Sequence, residues 1–104
     1  MHIKELVERQ IPWSRKTFGQ DFRTKGITQH IELELQEIRD NPDDLTEWID
    51  VVLLALDGAW RSGHTPEEIE AALIAKQNKN FKRIWPKHDN PPDEAICHDR
   101  TKET

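Results

Sequence analysis

Two pairs of acidic residues stand at helical spacing on either side of a five-residue breaker, Glu34-x-x-Glu37 before Asp40-Asn41-Pro42-Asp43-Asp44 and Glu47-x-x-Asp50 after it. Residues three apart share one face of a helix. A first helix ending near Asp40 and a second beginning near Asp44 would form an antiparallel hairpin with Glu37 opposite Glu47 and Glu34 opposite Asp50. Four carboxylates facing each other repel unless something neutralises them. A set of oxygen donors suits a hard divalent cation such as Mg²⁺ or Mn²⁺, and the chemistry to expect is metal-dependent phosphoryl transfer. The bland alternative is a solvated acidic helix face, with Glu47 favouring the helix dipole. Two pairs in mirror register, on helices that also carry apolar faces, favour the site.

Further polar residues flank these pairs. Asp57 lies two turns beyond Asp50 and is open to three roles: a further ligand, a support for the ligands, or a substrate contact. Its plain alternative is an ion pair with Arg61, four residues on. His30 stands one turn before Glu34, and a lone histidine is more often structural than a ligand. A di-iron site would want Glu-x-x-His repeats, which neither Glu34 nor Glu47 begins. Lys76 and Asn80 extend the apolar stripe of Ile69 and Leu73, with Arg83 one turn on. These three are candidates to hold phosphate oxygens; the alternative is that the lysines and Arg83 only complement the helix C-terminus. Trp13 and Phe18, in Trp13-Ser14-x-x-Thr17-Phe18-Gly19, offer aromatic surface on which a base could stack, or else simply pin their own segment.

The elements that must position these groups are helical, and no strand pattern or repeat is visible. A short amphipathic helix is expected over Ile3–Ile11, stopped by Pro12, with Trp13 to Gly26 as an ordered loop or broken helix. A second helix is expected from about Thr28, with Ile31, Leu35 and Ile38 on its core stripe. The third, about Asp44 to Ser62, is apolar nearly all round and needs cover beyond its own chain, so a homodimer or homotetramer is expected. Gly63 reads as its cap. Thr65-Pro66-Glu67-Glu68 combines a threonine cap, proline at the first position and glutamate at the capping-box position. That fourth helix should run to about Arg83, with Ile69, Ala72 and Leu73 facing inward. The domain is therefore expected over 1–86, with a polar tail over 87–104.

The chain has 104 residues, a formal net charge of −5, 34% charged and 35% hydrophobic residues, which fits one small helical domain. An acidic chain is not a general binder of nucleic-acid backbone, yet it can take a nucleotide through metal. The N-terminal residues carry no apolar run, so neither a signal peptide nor a membrane anchor is expected. Cys97 is alone, which fits a reducing cytoplasm.

The hairpin with its two acidic motifs resembles the all-α nucleoside triphosphate pyrophosphohydrolases of the MazG superfamily. The longer string His30-Ile31-x-x-Glu34-Leu35-x-Glu37-Ile38, then Asp44-Leu45-x-Glu47-Trp48-Ile49-Asp50 through Asp57-Gly58-Ala59-Trp60-Arg61, is similar to its dATP/dGTP pyrophosphohydrolase branch, often encoded by phages. Lys76-Gln77-x-Lys79-Asn80-x-x-Arg83-x-Trp85-Pro86 also looks like that branch. The resemblance runs from about Trp13 to Pro86. It implies a MazG-like bundle of about four helices and an enzyme that hydrolyses a purine (deoxy)nucleoside triphosphate, dGTP or dATP, to monophosphate and pyrophosphate. Glu34, Glu37, Glu47 and Asp50 would be ligands of one to three Mg²⁺ or Mn²⁺ ions, and Glu34 or Glu37 would position or deprotonate the attacking water. The superfamily often shows E-E-x-x-E in the first motif; here Leu33 occupies the first acidic position, and Asp57 is a candidate replacement ligand. Two other classes remain open on the same fold: a dUTP or dCTP hydrolase, and a catalytically idle interaction module.

Overall fold

A computed structural model of the chain describes residues 1–85 and 95–96. The tail expected over 87–104, including Cys97, lies outside the described residues except for Ala95 and Ile96. The chain forms two compact units, Met1–Ala71 and Ala72–Thr104. Four helices follow one another: α1 (Ile3–Phe18), α2 (Thr24–Asp40), α3 (Leu45–Arg61) and α4 (Pro66–Lys82). No strand occurs among the described residues, and the all-α expectation holds.

The first unit is built around α3. Val7 of α1, Leu56 and Trp60 of α3 and Ile69 of α4 form its buried cluster, with Leu6, Ile11 and Ala59 packed against it. Ile27 and Ile38 of α2 are buried as well.

Helix α1 corrects the expected stop at Pro12, since it continues to Phe18 with Pro12 inside. Proline removes one backbone donor and leaves the carbonyl one turn earlier unpaired, but Pro12 is on the exposed side, where water can satisfy that carbonyl. The helix is held beyond Pro12 by Ser14, which is 1% exposed and hydrogen-bonded to α3. It ends where Gly19, at φ 91°, donates its N–H to the Arg15 carbonyl at 2.9 Å; only glycine takes that φ at no steric cost.

Of the ordered loop or broken helix expected over Trp13–Gly26, the broken helix is what forms, with its break confined to the few residues between α1 and α2. Helix α2 starts at Thr24 rather than Thr28. Arg23 precedes it without a side-chain cap, so no capping residue marks the start, and the buried Ile27 of its first turn anchors it instead.

The hairpin turn is tightly specified. Asp44 caps α3, its Oδ1 accepting from the Thr46 N–H at 3.0 Å and the Thr46 hydroxyl at 2.6 Å. Asn41 donates its N–H to the Glu37 carbonyl and accepts from the Asp44 N–H, and the Trp48 indole donates to the Pro42 carbonyl at 3.0 Å. At the other end of α3, Gly63 has φ 104° and donates to the Trp60 carbonyl. The capping box at α4 forms as its sequence predicts: Glu68 N–H donates to Thr65 Oγ1 at 3.1 Å and Thr65 N–H to Glu68 Oε1 at 3.2 Å.

Two expected core stripes are narrower than their periodicity suggests. On α2, Leu35 is 38% exposed. On α4, Ile69 is buried but Ala72 and Leu73 are exposed. Along α3, Leu45, Trp48, Ile49 and Val52 remain open to solvent, so the apolar surface of this helix exceeds what its own chain covers.

Candidate active site

The hairpin brings together the four acidic side chains that the spacing singled out. One carboxylate oxygen from each of Glu34, Glu37, Glu47 and Asp50 lies within 4.8 Å of the others. Glu34 is buried and Glu47 half-buried, whereas Glu37 and Asp50 face solvent.

Such crowding disfavours full ionisation. A hydrogen bond with Glu37, then burial, then the Glu37 charge raise the Glu34 pKa. The same three causes, again led by the Glu37 hydrogen bond, push Glu47 up to about 7. Glu37 is thus the shared partner, sitting between the two more buried carboxylates. His30 Nε2 lies 3.1 Å from Glu34 Oε1, fixing that oxygen one helical turn away. The second oxygens, Glu34 Oε2 and Glu47 Oε2, are buried without a hydrogen-bond partner among the described residues. Buried acceptors of this kind normally find a partner. An all-oxygen donor set with two orphaned acceptors fits a hard divalent cation, and these four residues would hold it.

Beside the carboxylates lies a cavity of about 530 Å³. Arg9, Gln10, Trp13, Ser14 and Phe18 of α1 line one side, His30 and Glu34 of α2 another, and Asp50, Leu53, Leu54 and Asp57 of α3 the third. Trp13 and Phe18 meet edge to face, with ring centroids 5.6 Å apart. Trp13 keeps 60% of its surface exposed, so the pair presents an aromatic wall. This segment is the helical end of α1, in keeping with the broken-helix alternative rather than the loop. The Arg23 guanidinium stacks on Phe18 at 4.8 Å.

Asp57 is buried, and both its oxygens have protein partners. Oδ1 accepts from the Ser14 hydroxyl at 2.6 Å and Oδ2 from Arg61 Nε at 3.2 Å. The pairing that the four-residue spacing allowed is therefore made, and Asp57 lies outside the group of four. Arg61 also donates to the carbonyls of Ser14, Gly19 and Asp21 and to Ser14 Oγ, and it stacks on Trp60 at 4.6 Å. One buried guanidinium thereby ties the end of α1 and the following loop to α3. Sequence reasoning singled out Arg61 only as a partner for Asp57. It missed Ser14 as that carboxylate's second partner, because a lone serine carries no periodic signal.

It also missed Arg9 and Gln10. Among the described residues, Arg9 is the only arginine or lysine lining the cavity, and its one hydrogen bond there is a weak one to Met1 Sδ at 3.7 Å. Its place one turn before Trp13 on α1 was the available signal.

Lys76, Asn80 and Arg83 belong to the second unit. There Arg83 Nη1 donates to Asn80 Oδ1 at 3.3 Å and the Trp85 indole to the Asn80 carbonyl at 2.9 Å. Lys76 is exposed, which corrects the expectation of an inward-facing charge.

The all-α hairpin and its converging carboxylates are consistent with the MazG-like class of nucleoside triphosphate pyrophosphohydrolases that the sequence resembles. The family model for dATP/dGTP pyrophosphohydrolase matches residues 6–103, and the chain belongs to that family of nucleoside triphosphate diphosphatases. Searches of curated proteins and of solved structures give no match. No helix among the described residues is long and apolar enough to cross a membrane.

Proposed function

We propose that this protein hydrolyses dGTP and dATP to the deoxynucleoside monophosphate and pyrophosphate, with Mg²⁺ or Mn²⁺ held by Glu34, Glu37, Glu47 and Asp50. The observation that carries this reading is the convergence of those four carboxylates, two of them with an unpartnered buried oxygen. Divalent ions in such a site offset the negative charge of carboxylates and phosphates and lower the pKa of water.

The protein groups divide the remaining work. Glu37, exposed between its two more buried neighbours, would orient a water toward the α-phosphorus and accept its proton. Glu34 is held for its role by His30. Arg9 supplies the cationic contact to phosphate oxygens from the cavity wall, and Trp13 and Phe18 stack on the purine. Asp57, with Ser14 and Arg61, keeps the end of α1 in place behind that ring pair. Lys76, Asn80 and Arg83 are candidates for further phosphate contacts, a role supported only by the string they share with the dATP/dGTP branch. The uncovered apolar side of α3 supports a homodimer or homotetramer, and a nucleotide substrate supports a cytoplasmic enzyme.

The test is direct. Incubation with each deoxynucleoside triphosphate and Mg²⁺ or Mn²⁺, followed by nucleotide chromatography, should give dGMP or dAMP with pyrophosphate, and EDTA should abolish the reaction. Release of diphosphate and orthophosphate would overturn the pyrophosphohydrolase reading.

A further inference from the structure

The cavity has an internal order that two hydrogen bonds establish. Gln10 Nε2 donates to the Leu53 carbonyl at 2.9 Å, and the Ser14 hydroxyl donates to Asp57 at 2.6 Å; each bond joins residues 43 apart in sequence. A constant offset means that α1 and α3 run side by side in the same direction. At about 1.5 Å of rise per residue, the level of Gln10 and Leu53 is about 4.5 Å beyond Asp50. The level of Ser14 and Asp57 is about 6 Å further on. Reading outward from the carboxylates, the cavity wall therefore presents Gln10 first and the Trp13–Phe18 rings after it. A nucleotide with its α-phosphate at the carboxylates and its base on those rings brings its sugar to Gln10.

The polar groups near that level are unequally free. Ser14 Oγ gives its hydrogen to Asp57 and accepts from Arg61, and both Asp57 oxygens are partnered. Gln10 is different. Its amide nitrogen is committed to a carbonyl, which can only accept, so the amide cannot be turned the other way round. Its Oε1 is buried with no hydrogen-bond partner among the described residues. The side chain is thus a tethered amide with one vacant acceptor.

We infer that Gln10 Oε1 accepts a hydrogen bond from the 3′-hydroxyl of the substrate sugar, making Gln10 a specificity-determining residue that selects nucleotides carrying that hydroxyl. This rests on the proposed pyrophosphohydrolase reading. A hydroxyl is the sugar's only donor in a deoxynucleotide, and an acceptor without a donor discriminates against the analogue that lacks one.

The experiment compares kcat/KM for dATP and 2′,3′-dideoxyadenosine triphosphate, in the wild type and in Gln10→Met, which keeps length and helix propensity but removes tether and acceptor. The wild type should prefer dATP by about tenfold or more, the discrimination of one hydrogen bond. In Gln10→Met the two substrates should converge to within about twofold, with pyrophosphate still the product. Merely structural damage would lower both substrates together and keep their ratio. Equal use of the two by the wild type, which needs no variant, overturns the inference and leaves the proposed activity standing, as does a preference that survives in Gln10→Met. Failure of the wild type to hydrolyse either would instead bring down the activity and this inference with it.

Discussion

Protons and a divalent cation compete for the same four carboxylates. Glu47 is raised to about 7 from the ordinary carboxylate range of about 4, led by its hydrogen bond with Glu37, and Glu34 is raised for the same first reason. Their folded pKa values exceed the unfolded ones. In the metal-free protein they therefore favour folding fully below about pH 4.5, and the Glu47 contribution is lost as pH rises from there through about 7. Two outcomes are expected. Mn²⁺ affinity, measured by calorimetry, should be weaker at pH 6 than at pH 8, with proton release on binding. The thermal midpoint of the metal-free protein should lose this contribution between about pH 4.5 and 7, and added metal should restore it. For catalysis, Glu34→Gln, Glu37→Gln, Glu47→Gln and Asp50→Asn should each lower turnover at least about a hundredfold if each supports metal or water. Two of the four remaining near wild type would remove the site. These four residues were legible because their spacing carries the geometry. Gln10 and Arg9 were not, since a role that comes from facing a cavity leaves no local pattern.

Among the elements, α3 and the start of α4 followed local rules, and α1 did not. Asp44 and the Thr65–Glu68 capping box do what those residues do in any helix start. The helix through Pro12 is a tertiary outcome, secured by Ser14 and Arg61 from 47 residues away. Replacing Pro12 by Ala, on the exposed side, should restore a backbone hydrogen bond and stabilise the fold by about 1–3 kcal/mol in chemical denaturation. Arg61→Ala should do the reverse. It strips a guanidinium from Asp57 and from three backbone carbonyls in a buried site, and breaking a buried pair of this kind costs about 3–5 kcal/mol. A stability within about 1 kcal/mol of wild type would mean that the network is not what holds α1 to α3.

For the whole molecule, the all-α class and the four-helix order were readable from periodicity and breakers. The extent of the core was not. Leu35, Leu73, Ile49 and Val52 have the spacing of core residues, yet all are at least 38% exposed. Periodicity identifies an apolar face without saying whether the same chain covers it. Covering such surface is worth about 25 cal/mol per Å², so light scattering at micromolar concentration should find a dimer or tetramer; a stable monomer would contradict the oligomer reading. Lys76→Ala should lower kcat/KM at least about tenfold, the loss of one charge-assisted phosphate contact, with helicity unchanged by circular dichroism. A change within twofold would end the phosphate role proposed for Lys76.

Trp13 gives the cavity an optical signature. It is the only one of the chain's four tryptophans that lines the cavity, and much of its ring is open. A purine resting on that indole should quench its fluorescence without any bond being broken. Occupancy can then be followed by emission, apart from turnover, with Trp13→Phe as the silent control that keeps an aromatic wall.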